Sequence, residues 1–291
     1  MMNAEQMSVL TEKFLIQHGD QFVPMVVRVW IPSGTPRGSV FCFHEFEGNG
    51  RDFDQLAALL CTNGYQVICP DILGRGKSGY IGDPDSYTPD LFMQCLSALN
   101  KFGSKENYFI GVSWGATTLL ISWTLASWKI AKLILVDPPL IGSPQVDEMR
   151  DRILCNANAK FETRSAAEMY IRQSQQNSPG VNLPALDELV KHRVLQEGDH
   201  YRLAFDPTTT DNLDKLREQP YDLLPVISQI DAPVLLFHSA ETALIDQPSL
   251  DRYVGSRLDR WSSSLNCGST SWSVHPDQAF LVLGFLSATS A

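Results

Sequence analysis

Apolar positions along the chain follow two patterns that predict different secondary structure. Short continuous apolar runs, rich in β-branched and aromatic residues, predict buried strands because they are too short for helices. These runs cover residues 39–43, 66–69, 108–110, 132–136, 233–237 and 261–266. Segments with helical periodicity lie between the first four of these runs and predict helices over residues 53–62, 91–102 and 116–128. Pro276 opens a last apolar helix. This alternation is typical of an α/β fold with a mostly parallel twisted sheet and helices on both faces.

The N-terminal segment departs from this alternation. Phe14–Ile16 and Met25–Ile31 have the residue types of antiparallel strands, and Pro32-Ser33-Gly34 ends the second of them. The sequence therefore predicts that a hairpin precedes the parallel core.

A second departure follows Pro138-Pro139. Polar amphipathic helices are predicted at residues 145–158, 165–175 and 185–195, with no strand between them for about 85 residues. The alternation of strand and helix then resumes. We interpret this stretch as an insertion, so the predicted organisation is an α/β core formed by residues 1–139 and 226–291 and a helical cap formed by residues 140–225.

Composition and charge narrow the class of protein. The 291 residues are 44% hydrophobic and 19% charged, which is typical of a globular protein and excludes disordered and fibrous chains. The formal net charge of −10 repels nucleic-acid phosphates and anionic lipids, so neither nucleic acid nor a membrane is an expected partner. No apolar run approaches the roughly 20 residues of a membrane helix. The N-terminus has no basic start followed by an apolar stretch, so we expect no secretory signal.

The cysteines and the lack of ligand motifs indicate the compartment and the chemistry. Six scattered cysteines without a C-x-x-C pair favour free thiols in a reducing cytosol over disulfides or structural zinc. No phosphate loop, dinucleotide fingerprint or metal-spaced histidine cluster is present in the sequence. We expect a cytoplasmic protein, monomeric or homodimeric, that needs no metal or cofactor.

The motif that carries chemistry is Gly111-Val112-Ser113-Trp114-Gly115, which follows a predicted strand and opens a predicted helix. In this strand-turn-helix context the G-x-S-x-G pattern is typical of a nucleophile elbow. The turn is so tight that small residues must flank the serine. Its hydroxyl is then presented at the carboxyl end of the strand, above a helix N-terminus. The pattern therefore predicts Ser113 as a nucleophile.

With this motif in place, the chain resembles the α/β-hydrolase superfamily, of the capped serine hydrolase type, over almost its whole length. Three further segments carry the resemblance. Phe43-His44-Glu45-Phe46 is similar to the family's H-G-x oxyanion loop, and residues 71–78 (DILGRGKS) resemble its D-x-x-G-x-G-x-S turn. Residues 201–207 (YRLAFDP) resemble the stretch that leads out of the cap. The resemblance implies the α/β-hydrolase fold.

The resemblance also implies an oxyanion hole, formed by the backbone N–H groups of Phe46 and Trp114, and a loop held by His44. Glu45 stands where the family has glycine, and Glu47 lies two positions further on. A carboxylate here would oppose the developing oxyanion unless it points away or is protonated. Two interpretations of Glu45 remain open: a solvated loop residue, or a general base or cation-binding group at the pocket mouth.

The usual acid of the catalytic triad is substituted. The family places it after the strand at residues 233–237, and the matching position is Thr242. Asp137, at the end of the preceding strand in the chain's α/β pattern, is one candidate substitute, and Glu241, next to Thr242, is another.

The usual histidine is also substituted, because Ser269 occupies the matching position and a serine is no general base at neutral pH. His275 lies in the same loop, immediately before the last helix, and His238 closes the strand that normally precedes the acid. His192 and His200 lie on or near the cap. We take His275 as the candidate base and keep His238, Glu241 and Ser269 as candidate binding residues alongside His44 and Glu45.

Two functions remain open. The first is an enzyme in which Ser113 acts on an ester, a thioester or another carbonyl-containing small apolar substrate with an atypical triad. The second is a hydrolase-like small-molecule binding protein that has lost turnover. Phe46, Trp114 and Trp272 predict an apolar pocket, so the expected ligand is apolar or aromatic in either case.

Overall fold

A twisted sheet of eight strands forms the centre of the computed structural model. The structure describes residues 7–123, 128–174, 181–211, 213, 221–239, 242–265 and 272–288. The strands of the main sheet are β1 (Ser8–His18), β2 (Gln21–Ile31), β3 (Ser39–Phe43), β4 (Gln66–Asp71), β5 (Asn107–Val112), β6 (Lys132–Val136), β9 (Val234–Ser239) and β10 (Arg260–Leu265). A separate two-stranded hairpin consists of β7 (Val194–Glu197) and β8 (His200–Leu203). In space the main sheet runs β1-β2-β4-β3-β5-β6-β9-β10.

Strand direction divides the main sheet into two parts. Strands β4, β3, β5, β6, β9 and β10 are mutually parallel. β1 and β2 form the predicted hairpin, and β2 pairs antiparallel with β4. The mostly parallel sheet predicted from the short apolar runs is therefore confirmed, and β5, which leads to Ser113, lies in its middle.

Helices cover both faces of this sheet. Those described are α1 (Asp54–Thr62), α2 (Pro89–Ala98), α3 (Trp114–Trp123), α4 (Pro144–Ala157), α5 (Arg164–Gln173), α6 (Leu183–His192), α7 (Leu224–Gln229), α8 (Gln247–Gly255) and α9 (Pro276–Ser287). Side chains alternate between two apolar layers: Phe41 and Phe43 of β3 pack on the side of α2 and α3, whereas Val40 and Cys42 pack on the side of α1 and α9. Both faces of the strand are buried, which explains its unbroken apolar run.

The segment between β6 and β9 lies outside the main sheet and has its own apolar cluster. That cluster includes Ile153 of α4, Leu186 and Leu189 of α6, and Phe46 of the core. The predicted helices are present, but the expectation of a wholly helical insertion is wrong, because β7 and β8 pair here. Their four-residue strands are too short for a clear period of two, and the turn between them uses Gly198 at a φ of +61°. The boundaries at residues 140 and 225 stay a prediction.

Within the described ranges, no helix combines the length and the apolar character that crossing a bilayer requires.

Candidate active site

Ser113 occupies a strained turn between β5 and α3. Its φ is +48°, in the left-handed region that a non-glycine residue rarely adopts, and its main-chain N–H donates to Val136 O at 2.7 Å. This hydrogen bond ties the turn to the end of β6. The hydroxyl therefore lies at the carboxyl end of the central strands, beside the N-terminus of α3.

The two flanking glycines are required by close backbone contacts. A Cβ on Gly111 would lie 2.5 Å from Ala116 Cα, and a Cβ on Gly115 would lie 2.4 Å from His44 O. Neither position leaves space for a side chain, since backbone atoms block both. The spacing predicted from the motif is thus a steric property of the turn, which brings α3 against the loop that follows β3.

His44 fixes the geometry of that loop. Its ring is fully buried, and Nε2 accepts the N–H of Ile72 at 3.1 Å, so Nδ1 carries the proton and donates to Glu45 O at 2.7 Å. Burial lowers the pKa of His44 to about 3. The ring therefore stays neutral and holds the loop, and it cannot reach Ser113 as a base while both nitrogens are engaged.

The side chain of Glu45 is buried and does not project into solvent. Its negative charge is paired with a cation of the protein. Its Oε1 accepts from Arg193 Nη1 at 2.7 Å, and Arg193 also donates through Nε and Nη2 to both oxygens of Asp52, at 3.1 and 2.6 Å. All three residues are buried. Burial alone would lower the pKa of Arg193, but the charges of Asp52 and Glu45 outweigh it, and the net shift is upward. The carboxylate is thus held by a permanent cation from the insertion.

The N–H groups of Phe46 and Trp114 have no hydrogen-bond acceptor among the described residues. The two rings meet edge to face with centroids 5.7 Å apart, which keeps the loop after β3 and the start of α3 in register. Trp114 follows Ser113 directly in the chain, and backbone donors without a partner beside a nucleophile are what an oxyanion hole requires. The role of the two N–H groups stays a prediction.

A cavity of about 420 Å³ lies against these two aromatic residues. Of the described residues, Phe46 and Trp114 line it and Ser113 does not. Most of its wall is apolar, contributed by α2, α3 and the turn after β4. Its apolar lining includes Leu73, Leu91, Phe92, Cys95 and Ile121. The sequence predicted Phe46 and Trp114 in such a pocket, whereas Trp272 packs against Phe237 in the opposite layer of the core.

Asp137 directly follows β6, which pairs with β5, the strand that leads to Ser113. Its φ is +45°, and its carboxylate is buried, accepting from Ser239 N at 3.1 Å and from Thr242 Oγ1 at 2.7 Å. Burial raises the pKa of Asp137 to about 6, although both hydrogen bonds oppose the shift. The residue at the family's acid position, Thr242, thus hydrogen-bonds to the carboxylate of the candidate substitute.

The two candidate histidines of the core, His275 and His238, lie on different segments. His275 is buried and precedes α9, where its main chain donates to Trp272 O and accepts from Ala279 N, both at 3.1 Å. His238 is half-buried on β9, and burial lowers its pKa. Within the described residues, no hydrogen bond joins Ser113 Oγ or the Asp137 carboxylate to a histidine.

The remaining candidate residues lie in the insertion or outside the described residues. His192 ends α6, and burial lowers its pKa to about 4, whereas His200 contacts the exposed Asp199 on the β7–β8 hairpin. Glu241 and Ser269 lie outside the described residues. Their roles, like those of the other candidate residues, stay predictions.

Two arginines at this site carried no recognisable signal in the sequence. Arg193 reaches the oxyanion loop from the insertion, and Glu45 lies 148 positions before it. Arg75 belongs to the turn that resembles the family motif, but nothing in that motif indicated that its side chain would line the cavity. Only the folded arrangement brings either cation to the site.

Comparison with known protein families and solved structures extends these observations. Residues 34–257 match the family described as serine aminopeptidase, S33. A solved α/β hydrolase from Novosphingobium aromaticivorans superposes with a TM-score of 0.74 at 19% identity, covering 96% of this chain and 97% of that one. The α/β-hydrolase fold expected from the sequence is therefore confirmed.

Two curated proteins share part of the chain. A 3-hydroxybutyrate-oligomer hydrolase of Cupriavidus necator is 31% identical over 114 residues, which are 39% of this chain and 38% of that protein. The monoglyceride lipase of Rattus norvegicus is 23% identical over 122 residues, which are 40% of each protein. The matched region spans about two fifths of either relative.

Proposed function

The chain belongs to the serine aminopeptidase, S33 family of α/β hydrolases, and on that basis we propose that it is an esterase in which Ser113 attacks a small ester with an apolar group. The relatives support an ester because the substrates in both names, monoglycerides and 3-hydroxybutyrate oligomers, are carboxylic esters. The apolar cavity beside Trp114 supports an apolar group on the substrate.

The observation that carries the proposal is the pair of unpaired N–H groups of Phe46 and Trp114 beside the strained Ser113. In a tetrahedral intermediate the former carbonyl oxygen carries a full negative charge. Donors that are already in place stabilise that charge without further reorganisation. Arg193 supports the same role, because it neutralises the carboxylate of Glu45 beside the hole.

The proposed reaction proceeds in two steps. A base accepts the proton of Ser113 Oγ as the bond from Oγ to the carbonyl carbon forms, and the alcohol then leaves with that proton. Water, activated by the same base, hydrolyses the acyl-enzyme and returns the proton to Ser113. The products are a carboxylic acid and an alcohol.

We assign the base to His275 and the orienting carboxylate to Asp137. Two contacts of the residues just before His275 support this choice. Ser273 Oγ donates at 2.5 Å to the main chain of Asp52, which shares the cation of Arg193 with Glu45 of the oxyanion loop, and Val274 belongs to the same apolar cluster as Phe46. Asp137 directly follows β6, which pairs with the strand that leads to Ser113, and, with a pKa of about 6, is mostly ionised at neutral pH.

The test combines a covalent probe with a substrate series. Intact mass after exposure to a fluorophosphonate should show one adduct on the wild type and none on Ser113→Ala. Hydrolysis of p-nitrophenyl esters should favour short to medium acyl chains over acetate, since the cavity is apolar, and the matching thioester measures the second substrate class. His275→Gln should abolish turnover, and His238→Gln, a matched change on β9, should retain it.

Three results would contradict the proposal. An adduct that persists on Ser113→Ala would exclude Ser113 as the nucleophile. Equal losses in the His275 and His238 variants would exclude His275 as the base. No adduct and no turnover in folded wild-type protein would exclude an esterase and support the alternative, a hydrolase-like binding protein for small molecules.

A further inference from the structure

Arg75 is a buried cation that has no carboxylate partner among the described residues. Its side chain is part of a residue only 2% exposed, and no ion pair of Arg75 occurs within the described part of the chain. Nε donates to Phe46 O at 3.1 Å and Nη1 donates to Leu73 O at 3.2 Å. Nη2 makes no hydrogen bond to a described residue. Two carbonyl oxygens therefore satisfy only part of a group with five N–H donors.

Aromatic rings pack around the guanidinium of Arg75. Arg75 Cζ lies 4.3 Å from the ring centroid of Trp114 and 4.6 Å from that of Phe46. These contacts stabilise the cation, but they supply no hydrogen-bond acceptor for Nη2. Because Arg75 lines the cavity of about 420 Å³, an acceptor for its remaining N–H groups can come from a ligand bound there.

Asp206, whose charge acts on Arg75, forms no ion pair with it. The charge of Asp206 raises the pKa of Arg75, but Asp206 Oδ2 accepts from Tyr87 OH at 2.6 Å and from Gly82 N at 2.8 Å. Burial has the larger effect and lowers the pKa of Arg75 to about 10, so the side chain remains a cation at neutral pH. A buried charge with partial compensation is costly, and an anion would remove most of that cost.

Two charged residues among the described residues line the cavity, and they differ in exposure. Asp85 also lines the cavity, but it is exposed, whereas Arg75 is buried. The walls between them are mostly apolar. A ligand that matches this arrangement has an apolar body and one anionic end, which lies against Arg75. A carboxylate fits the planar guanidinium edge, since its two oxygens can accept two parallel N–H groups.

We propose that the cavity binds a carboxylate through Arg75, and that the substrates are esters that also carry one free carboxylate, at the end of their apolar chain. The substrate class rests on the proposed esterase function, whereas carboxylate binding does not. Phe46 and Trp114 border both the cavity and the oxyanion hole, so a substrate with its carbonyl oxygen on the two N–H groups can extend its chain towards Arg75.

The first experiment measures binding without turnover. Calorimetry on Ser113→Ala with hexanoate and with hexanol separates the anionic end from the apolar chain. Hexanoate should bind about 10- to 100-fold more tightly than hexanol, as expected for charge-assisted hydrogen bonds to a buried cation. Arg75→Met in the same background should remove the difference. Equal binding of the two compounds, or no binding of hexanoate, would overturn the proposal even if the protein proves to be an active esterase.

The second experiment measures selectivity. Wild-type kcat/KM should be about 10- to 100-fold higher for mono-p-nitrophenyl adipate than for p-nitrophenyl hexanoate, and Arg75→Met should reverse or abolish that preference. Arg260→Met is the matched control, because Arg260 is a buried arginine on β10 that donates to carbonyl oxygens of Ile227, Ile230 and Ala232. It should leave the preference unchanged.

A fallback variant covers the case in which Arg75→Met does not fold. Arg75→Lys keeps the charge and loses the forked donor geometry, so it should weaken hexanoate binding while leaving hexanol binding unchanged. A preference for the adipate ester that is undiminished in a folded Arg75 variant would overturn the assignment to Arg75. Wild-type protein without turnover but with tight hexanoate binding would support the carboxylate site and contradict only the esterase.

Discussion

Replacing Arg193 with methionine tests whether the insertion supports the oxyanion loop. The guanidinium bridges Glu45 and Asp52, and the three side chains are 6%, 11% and 6% exposed, respectively. Arg193→Met keeps the length and apolar volume of the side chain and removes its charge. Two buried carboxylates then lose their common counter-ion, while the apolar contacts of α6 with the core change little.

The expected loss of stability is large for one substitution. Removing one partner from a buried ion pair costs about 3–5 kcal/mol, because the other charge stays desolvated. At about 2 °C per kcal/mol for a chain of this size, Tm should fall by roughly 6–10 °C. Arg172→Met is the control within the same insertion. Its ion pair with Asp187 is of similar length, 2.8 Å, but both side chains are more than 40% exposed, so the loss should be below about 1 kcal/mol.

The loss should also depend on pH. Burial already raises the pKa of Asp52 to about 6, and without Arg193 it should rise further, so the folded protein binds more protons than the unfolded chain above about pH 4. The free energy of unfolding of the variant must then fall as pH rises, and its deficit should be larger at pH 8 than at pH 5. Urea denaturation at both pH values measures this.

A double change separates the charge effect from packing. Glu45→Gln with Asp52→Asn in the Arg193→Met background removes the orphaned charges and should recover part of the stability at pH 8. A deficit below about 1 kcal/mol in Arg193→Met, or one that does not change with pH, would refute the argument that Arg193 neutralises this loop.

Three further predictions concern the elbow and its neighbours. Gly115→Ala should abolish soluble expression or lower Tm strongly, because the new Cβ would lie 2.4 Å from His44 O; a normal Tm would show that the turn relaxes. His44→Phe should lower the free energy of unfolding by about 1–3 kcal/mol, since it leaves the buried N–H of Ile72 without an acceptor, and chemical denaturation measures it. Burial raises the pKa of Asp137 to about 6, above the roughly 4 of an unfolded chain, so the folded state holds the extra proton between these values. The free energy of unfolding from this residue should therefore fall as pH rises from about 4 to about 6, and Asp137→Asn should remove that part of the slope, whereas an unchanged slope would contradict the shift.

Much of the core was predictable because its signals are local. The unbroken apolar runs of β3, β5 and β6 are the consequence of burial on both faces, and the helical periods between them predicted the covering layers. The elbow was equally local, since Gly111 and Gly115 lie within two residues of Ser113 and their small size is required by the turn itself. The β7–β8 hairpin was missed because its strands are only four residues long.

Sequence by itself therefore determined the fold, the elbow and the loop that faces it, because each depends on residues close together in the chain. Tertiary structure alone decided the electrostatics of the site. Arg193 reaches Glu45 across 148 positions, and Thr242 reaches the carboxylate of Asp137 across 105. The physical reason is that charge pairing and desolvation depend on distance and burial, which no spacing along the chain encodes. For the same reason, nothing in the glycine-rich turn that contains Arg75 indicated that this residue would be a buried cation in the wall of an apolar cavity.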